Sequence, residues 1–128
     1  MPAGKILIVE DENCLLKLEC ILLSSKGYDV KGVTGGEEAL EIIRDYDPDL
    51  VLLDVIMPGM DGFEVCRRIK SDQKTRHIPV VMLTAKKKPQ DIQKGLDVGA
   101  VSYITKPFKS STVIETIQKC LQNRRNPS

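Results

Sequence analysis

Apolar residues recur along the chain in two alternating patterns. The shorter pattern is a nearly continuous apolar run, as expected of a strand that is covered on both faces. It predicts strands at residues 5–9, 29–33, 50–53, 79–83 and 101–104, of which 29–33 is the weakest. The longer pattern repeats every three or four residues and predicts helices within 14–28, 35–46, 63–71, 89–100 and 109–125.

Individual residues indicate how the first two helices begin, end and face the core. Leu15, Leu18 and Leu22 recur at helical spacing and form the expected apolar stripe of the first helix, which Gly27 terminates. Thr34 is placed to cap the second helix.

The fourth helix has the weakest apolar pattern of the five. It begins at Pro89, and only Ile92 and Leu96 supply an apolar seam. We therefore expect it to be loosely held. The basic run Lys86–Lys88 precedes it and is typical of a solvated loop, with a modest role in partner binding as the alternative.

Strands and helices that alternate at short intervals predict an α/β fold, with a doubly wound parallel sheet of five strands and helices on both faces. In such sheets the working crevice lies beyond the carboxyl ends of the strands. The residues at those ends are therefore the candidates for chemistry.

Polar side chains of complementary chemistry collect at four of the predicted strand ends. They are Glu10, Asp11, Asp54, Thr84, Tyr103 and Lys106. Taken singly, the acids and the threonine are ordinary capping residues, and a lysine is most often solvated. Their joint appearance at one edge is much harder to attribute to capping.

Three neighbouring carboxylates repel one another unless a cation neutralises them. Oxygen ligands without His or Cys favour a hard ion, and incomplete protein coordination suits Mg²⁺. Asp54 would then be a nucleophile that forms an aspartyl phosphate, while Thr84 and Lys106 bind the other phosphoryl oxygens.

The ordered set of these motifs resembles the response-regulator receiver domain of two-component signalling over essentially the whole chain. The stretches that carry the resemblance are "ILIVEDE", "DVIMPGMDG", "LTA" and "YITKPF". The resemblance implies that Asp54 accepts phosphate from a phosphohistidine of a sensor histidine kinase or a histidine phosphotransfer protein.

The same resemblance assigns roles to the other residues. Asp11, Asp54 and the backbone carbonyl of Ile56 would bind Mg²⁺ directly, and Glu10 would act mainly through water. Thr84 and Tyr103 would be the switch pair. Lys106 would bind phosphate and precede a cis peptide at Pro107.

The family likeness also implies the strand order 2-1-3-4-5 of flavodoxin-like folds. The expected receiver domain is 1–124, and 125–128 would be a disordered tail or the start of a linker. The face of the fourth helix, fifth strand and fifth helix would bind a downstream output protein or domain, or a second copy of the chain. Whether the chain stands alone or belongs to a longer regulator stays open.

Composition excludes several other classes. Nineteen basic and eighteen acidic residues give a net charge of +1, which provides no general attraction to nucleic acid or lipid. The first twelve residues carry charges and no long apolar core, so we expect neither a signal peptide nor a membrane span and place the protein in the cytoplasm.

The cysteines and the single histidine do not indicate a zinc site. The four cysteines are widely separated, without a C-x-x-C pair, and we expect buried free thiols. His77 lies in a polar connector away from the acidic edge and is expected at the surface.

Three rival functions share parts of this pattern. Phosphatases that form an aspartyl phosphate resemble one another in having a second Asp two residues after the nucleophile. This chain has Ile56 at that position, which argues against a phosphatase. A flavin or nucleotide carrier would share the sheet, but the chain lacks G-x-G-x-x-G and P-loop motifs. A degenerate receiver is disfavoured because Asp11, Asp54, Thr84 and Lys106 are all present.

Overall fold

The computed structural model describes residues 3–125, and five strands alternate there with five helices. The strands are β1 Lys5–Val9, β2 Asp29–Val33, β3 Leu50–Leu53, β4 Val80–Thr84 and β5 Ser102–Thr105. The helices are α1 Asn13–Ser24, α2 Gly36–Tyr46, α3 Gly62–Ser71, α4 Pro89–Asp97 and α5 Ser110–Arg125. All ten predicted elements are confirmed, with β4 and β5 one residue later than expected. Helix α5 ends at Arg125, where the apolar pattern of the fifth helix also ended, and the rest of the tail predicted at 125–128 lies outside the described residues.

The five strands form one parallel sheet in the order β2-β1-β3-β4-β5, as the family likeness implied. Strand β1 pairs with β2 on one side and with β3 on the other, so Ile6 lies opposite both Val30 and Leu50. The chain reverses its direction of winding between β1 and β3. The crevice of a doubly wound sheet is therefore expected beyond Val9 and Leu53.

Each face of the sheet has its own apolar core, which explains why the strands are apolar without alternation. Leu7 and Val9 point into a cluster with residues of α2 and α3. Ile6 and Ile8 point into a second cluster with residues of α1 and α5.

The apolar stripe predicted for α1 is only partly confirmed, because Leu15 and Leu22 are half-buried but Leu18 is not. Leu18 is 57% exposed, whereas Glu19 and Leu23 are the fully buried residues of this helix. The reason is the close packing of α1 on β2, where a side chain added at Gly32 would collide with Leu16. This contact turns the face that carries Leu18 toward solvent.

The predicted N-cap of α2 is also wrong. Gly35, and not Thr34, is the N-cap of α2, and no side chain caps that end. Extended backbone at Gly35 starts the helix without such help, and the acidic residues Glu37 and Glu38 in the first turn favour the same end electrostatically.

The cysteines are free, as predicted, but they are not all buried. Cys66 is enclosed in the core, Cys20 and Cys120 are half-buried, and Cys14 is exposed. Cys14 lies in the first turn of α1, which projects beyond the sheet. His77 is exposed, as expected.

Helix α4 has even less apolar anchoring than the sequence predicted. Gly95 is its one fully buried residue, Ile92 is half-buried and Leu96 is 44% exposed. A Cβ atom at Gly95 would lie 2.7 Å from the ring of Tyr103 and 2.9 Å from the sulfur of Met82. The helix therefore approaches β5 closely at a residue that has no side chain.

None of the described helices combines the length and the apolar character that are needed to cross a membrane.

Candidate functional site

Backbone hydrogen bonds place two acidic residues side by side at the carboxyl edge of the sheet. The amide of Glu10 donates to the carbonyl of Val33, and the amide of Asp54 donates to the carbonyl of Val9, each at 3.0 Å. The hydrogen-bonded pairing thus continues one residue past β1 and β3. Both side chains are buried, at 2% and 6% exposure.

Lys106 crosses to these two residues from the loop after β5. Its ammonium nitrogen lies 2.7 Å from Oε1 of Glu10 and 3.2 Å from Oδ2 of Asp54. Its backbone amide donates to the carbonyl of Thr84 at 2.8 Å, and the Lys106–Pro107 peptide bond is cis, as the family likeness implied. One cation therefore bridges two carboxylates that come from different strands.

The three predicted metal ligands with side-chain oxygens lie together. Glu10, Asp11 and Asp54 each offer a carboxylate oxygen, and these oxygens lie within 4.8 Å of one another. The oxygens of Glu10 and Asp54 that do not contact Lys106 accept hydrogen bonds from the amides of Glu12 and Ile56, both at 3.2 Å. Asp11 is exposed, so the cluster is open on one side. An all-oxygen, partly open donor set fits Mg²⁺.

Burial and charge act in opposite directions on these groups. Burial raises the pKa of Glu10 more than its hydrogen bond from Lys106 lowers it, and the charge of Asp54 adds to the rise. Burial alone would lower the pKa of Lys106, but its bond to Glu10 and the charge of Asp54 outweigh burial and raise it. The lysine therefore stays charged, and the site favours further positive charge.

Helix α3 is held tightly against the end of β3 by Gly62. A Cβ atom there would overlap the carbonyl oxygen of Asp54 and lie 2.6 Å from the Cα atom of Val55. The amide of Gly62 donates to the carbonyl of Val55 at 2.9 Å. This contact fixes the backbone on which the Asp54 side chain stands.

The two predicted switch residues are joined through one backbone segment. The hydroxyl of Thr84, which is fully buried, accepts a hydrogen bond from the amide of Lys86 at 3.3 Å. The hydroxyl of Tyr103 donates to the carbonyl of the same Lys86 at 2.7 Å. Burial and the charges of Asp91 and Asp54 raise the pKa of Tyr103 to about 12, so its hydroxyl remains a donor at neutral pH.

One buried acid near the site was not predicted. Glu19 of α1 is 3% exposed, and the charges of Glu10, Asp54 and Lys106 all act on it. The sequence contains a signal for it, because Glu19 lies four residues after Leu15 and four before Leu23. This spacing puts it on the apolar face of the helix.

Comparison with known proteins defines the family. Residues 6–118 match the response regulator receiver domain family. The chain is 41% identical over 122 residues to the DNA-binding response regulator MtrA of Mycobacterium tuberculosis, an alignment that covers 95% of this chain and 51% of MtrA. The chain therefore belongs to the response regulator receiver domain family, and it spans about half the length of the curated relatives it matches.

Solved structures show the same likeness. A putative response regulator from Chloroflexus aurantiacus superposes with a TM-score of 0.90 at 32% identity, covering 95% of this chain and 99% of that one. The receiver domain of sensor histidine kinase PA1611 from Pseudomonas aeruginosa, which has magnesium in its active site cleft, superposes with a TM-score of 0.86 at 29% identity. That alignment covers 93% of this chain and 98% of that one.

Proposed function

We propose that this receiver domain takes a phosphoryl group onto Asp54 in the presence of Mg²⁺ and passes the signal to a partner through its α4-β5-α5 face. The donor would be a phosphohistidine on a sensor histidine kinase or a histidine phosphotransfer protein, as in a phosphorelay. The observation that carries the proposal is the convergence of Asp54, Lys106 and two further carboxylates at one open edge.

The chemistry assigned to the chain is a single displacement at phosphorus. A carboxylate oxygen of Asp54 attacks, the bond from phosphorus to the donor nitrogen breaks, and the donor imidazole leaves with the electron pair. Lys106, already 3.2 Å from Asp54, stabilises the negative charge on the phosphoryl oxygens, and the hydroxyl of Thr84 donates to another of them.

Glu10, Asp11, Asp54 and the carbonyl of Ile56 would hold the metal ion. A bound Mg²⁺ would neutralise the clustered carboxylates and orient the transferred group. The protein acts on its own side chain and on no separate substrate, so we classify it as a phosphoacceptor and not as an enzyme. We place it in the cytoplasm, where such donors and Mg²⁺ are available.

Phosphoryl uptake is tested with a small phosphodonor. We expect acetyl phosphate to add the mass of one phosphoryl group to the protein when Mg²⁺ is present and not when it is chelated. Borohydride reduction followed by peptide sequencing should locate the acyl phosphate at Asp54. An adduct at another residue, or none in Mg²⁺, contradicts the proposal.

The output surface follows from the weak anchoring of α4. New contacts to phosphate at Thr84 would alter the segment at Lys86, to which the hydroxyl of Tyr103 is bonded. This surface would bind an output protein, an output domain of a longer chain, or a second copy. MtrA is named for DNA binding, and we propose that any nucleic acid contact belongs to an output partner and not to residues 1–124.

A change in this surface should be visible in amide hydrogen exchange. After treatment with beryllofluoride and Mg²⁺, we expect altered exchange in α4 and β5, because Gly95 is the only fully buried residue of α4. Exchange in β1 should stay unchanged and serves as the internal control. Equal exchange in α4 with and without beryllofluoride would refute the proposed switch.

The lifetime of the phosphoryl group should depend on Ile56. Its side chain is 50% exposed next to the acceptor and offers no polar atom to orient an attacking water. We therefore expect slow self-dephosphorylation, and Ile56→Asn should speed it by up to about tenfold, less than a full general base would. Loss of phosphate followed by intact mass measures the rate. Ile56→Val is the matched control, and an unchanged rate in the Asn variant would rule out the assignment.

A further inference from the structure

Glu19 is a buried carboxylic acid in the inner face of α1. Its side chain is 3% exposed, and its Oε2 atom is fully enclosed without a hydrogen-bond partner among the described residues. Only Leu23 is equally buried in this helix. Glutamate is almost never so buried unless it is paired, and an unsatisfied buried oxygen requires a physical explanation.

The charged groups that act on Glu19 all belong to the acidic edge of the sheet. Burial is the largest effect, and with the charges of Glu10 and Asp54 it raises the pKa of Glu19 to about 8, against the opposing charge of Lys106. Among the side chains that the structure describes, no charged group of β2 or α5 contributes, and on α1 itself Glu19 in turn raises the pKa of Cys20.

Glu19 acts on the site through space and is not a ligand in it. In the described part of the chain, no hydrogen bond or ion pair joins it to Lys106 or to the three clustered carboxylates. The oxygens that lie within 4.8 Å of one another belong to Glu10, Asp11 and Asp54 alone. Glu19 therefore contributes charge to the site without occupying a coordination position.

The charge of the site determines what that contribution does. Three carboxylates and the Lys106 ammonium sum to two negative charges, which one divalent ion balances. A neutral Glu19 leaves this charge balance unchanged, whereas an ionised Glu19 adds one negative charge near the site. Positive charge brought to the edge favours the ionised form, and by linkage the ionised form favours the positive charge.

We propose that Glu19 couples Mg²⁺ binding at the acidic edge to the loss of its own carboxyl proton. The O–H bond of the Glu19 carboxyl breaks, the electron pair stays on the carboxylate, and the proton passes to solvent as Mg²⁺ binds. The Mg²⁺ affinity therefore rises with pH up to about 8 and then levels off. The inference rests on the proposed Mg²⁺ site and adds a pH dependence to it.

Calorimetric titration with Mg²⁺ in two buffers of different ionisation enthalpy measures the proton release directly. At pH 7.5 we expect the wild type to release a substantial part of a proton more per Mg²⁺ than Glu19→Gln does. Between pH 6.5 and 8.5 the affinity of the wild type for Mg²⁺ should rise about fivefold more than the affinity of Glu19→Gln does. Protons released by groups common to both proteins cancel in this difference.

Two further variants keep the test decisive. Glu19→Leu removes the charge and places an apolar side chain in the core. It should show the same proton release as Glu19→Gln, even if the buried amide of the Gln variant weakens folding. Glu41→Gln removes an exposed acid of α2 and should behave like the wild type. Equal proton release in the wild type and both Glu19 variants overturns the inference alone, whereas a wild type that binds no Mg²⁺ overturns the proposed metal site as well.

Discussion

Replacing Asp54 with asparagine should leave the protein folded and unable to take up a phosphoryl group. Asn has the same size, and its single amide oxygen can still accept from either the amide of Ile56 or Lys106, which lie 3.2 Å from Oδ1 and Oδ2 of the present carboxylate. An amide is not a nucleophile at neutral pH, so the expected loss is complete. Intact mass after incubation with acetyl phosphate and Mg²⁺ measures it.

A matched variant separates this effect from a general loss of acidic charge. Asp45 is exposed near the end of α2, which leads into the amino end of β3 and so lies at the opposite edge of the sheet. Asp45→Asn should take up phosphate like the wild type. A phosphoryl adduct on the Asp54→Asn protein would show that another residue is the acceptor.

Gly62→Ala should produce a large loss of stability. The added carbon would overlap the carbonyl oxygen of Asp54 and press on the Cα atom of Val55. Both are backbone atoms of the acceptor segment and cannot rotate away. We expect the free energy of unfolding to fall by about 3 kcal/mol or more, at the upper end for overpacked cores.

Denaturant unfolding measures this loss, and Gly35→Ala provides the comparison. A Cβ atom at Gly35 would have no neighbour within 4 Å, and its φ of −151° suits any residue. That variant should lose only about 1 kcal/mol through the weaker N-cap. Similar losses at both positions would mean that α3 can move away from Asp54 without cost.

Much of the fold could be predicted from the sequence because strands buried on both faces leave a strong signal. The run Leu50–Leu53 is an example, since each of its side chains enters one of two cores. Periodicity specifies the type of an element but not its neighbours, so the strand order came from the family likeness. The outward position of Leu18 could not be predicted, because it depends on how closely α1 approaches Gly32.

The meeting of the predicted site residues at one edge of the sheet could be expected from the sequence, but their contacts could not. Strand ends meet at one edge in any parallel sheet, which is why Glu10 and Asp54 could be paired in advance. The bond from Lys106 to Glu10 joins residues ninety-six positions apart and depends on the course of the loop after β5. Glu19 was missed because an acid within an apolar stretch is easily assigned to the solvent face, although its spacing from Leu23 indicates the core.

The absence of a side chain at Gly95 has a mechanical consequence for the proposed output surface. The ring of Tyr103 lies directly against the backbone of α4, and its hydroxyl is tied to the carbonyl of Lys86. Helix α4, the ring of Tyr103 and the segment at Lys86 are therefore in direct contact. We expect a displacement of one of them to displace the other two. A movement of the Thr84 side chain, two residues before Lys86, would therefore shift Tyr103 and α4 at the surface without a change in the sheet.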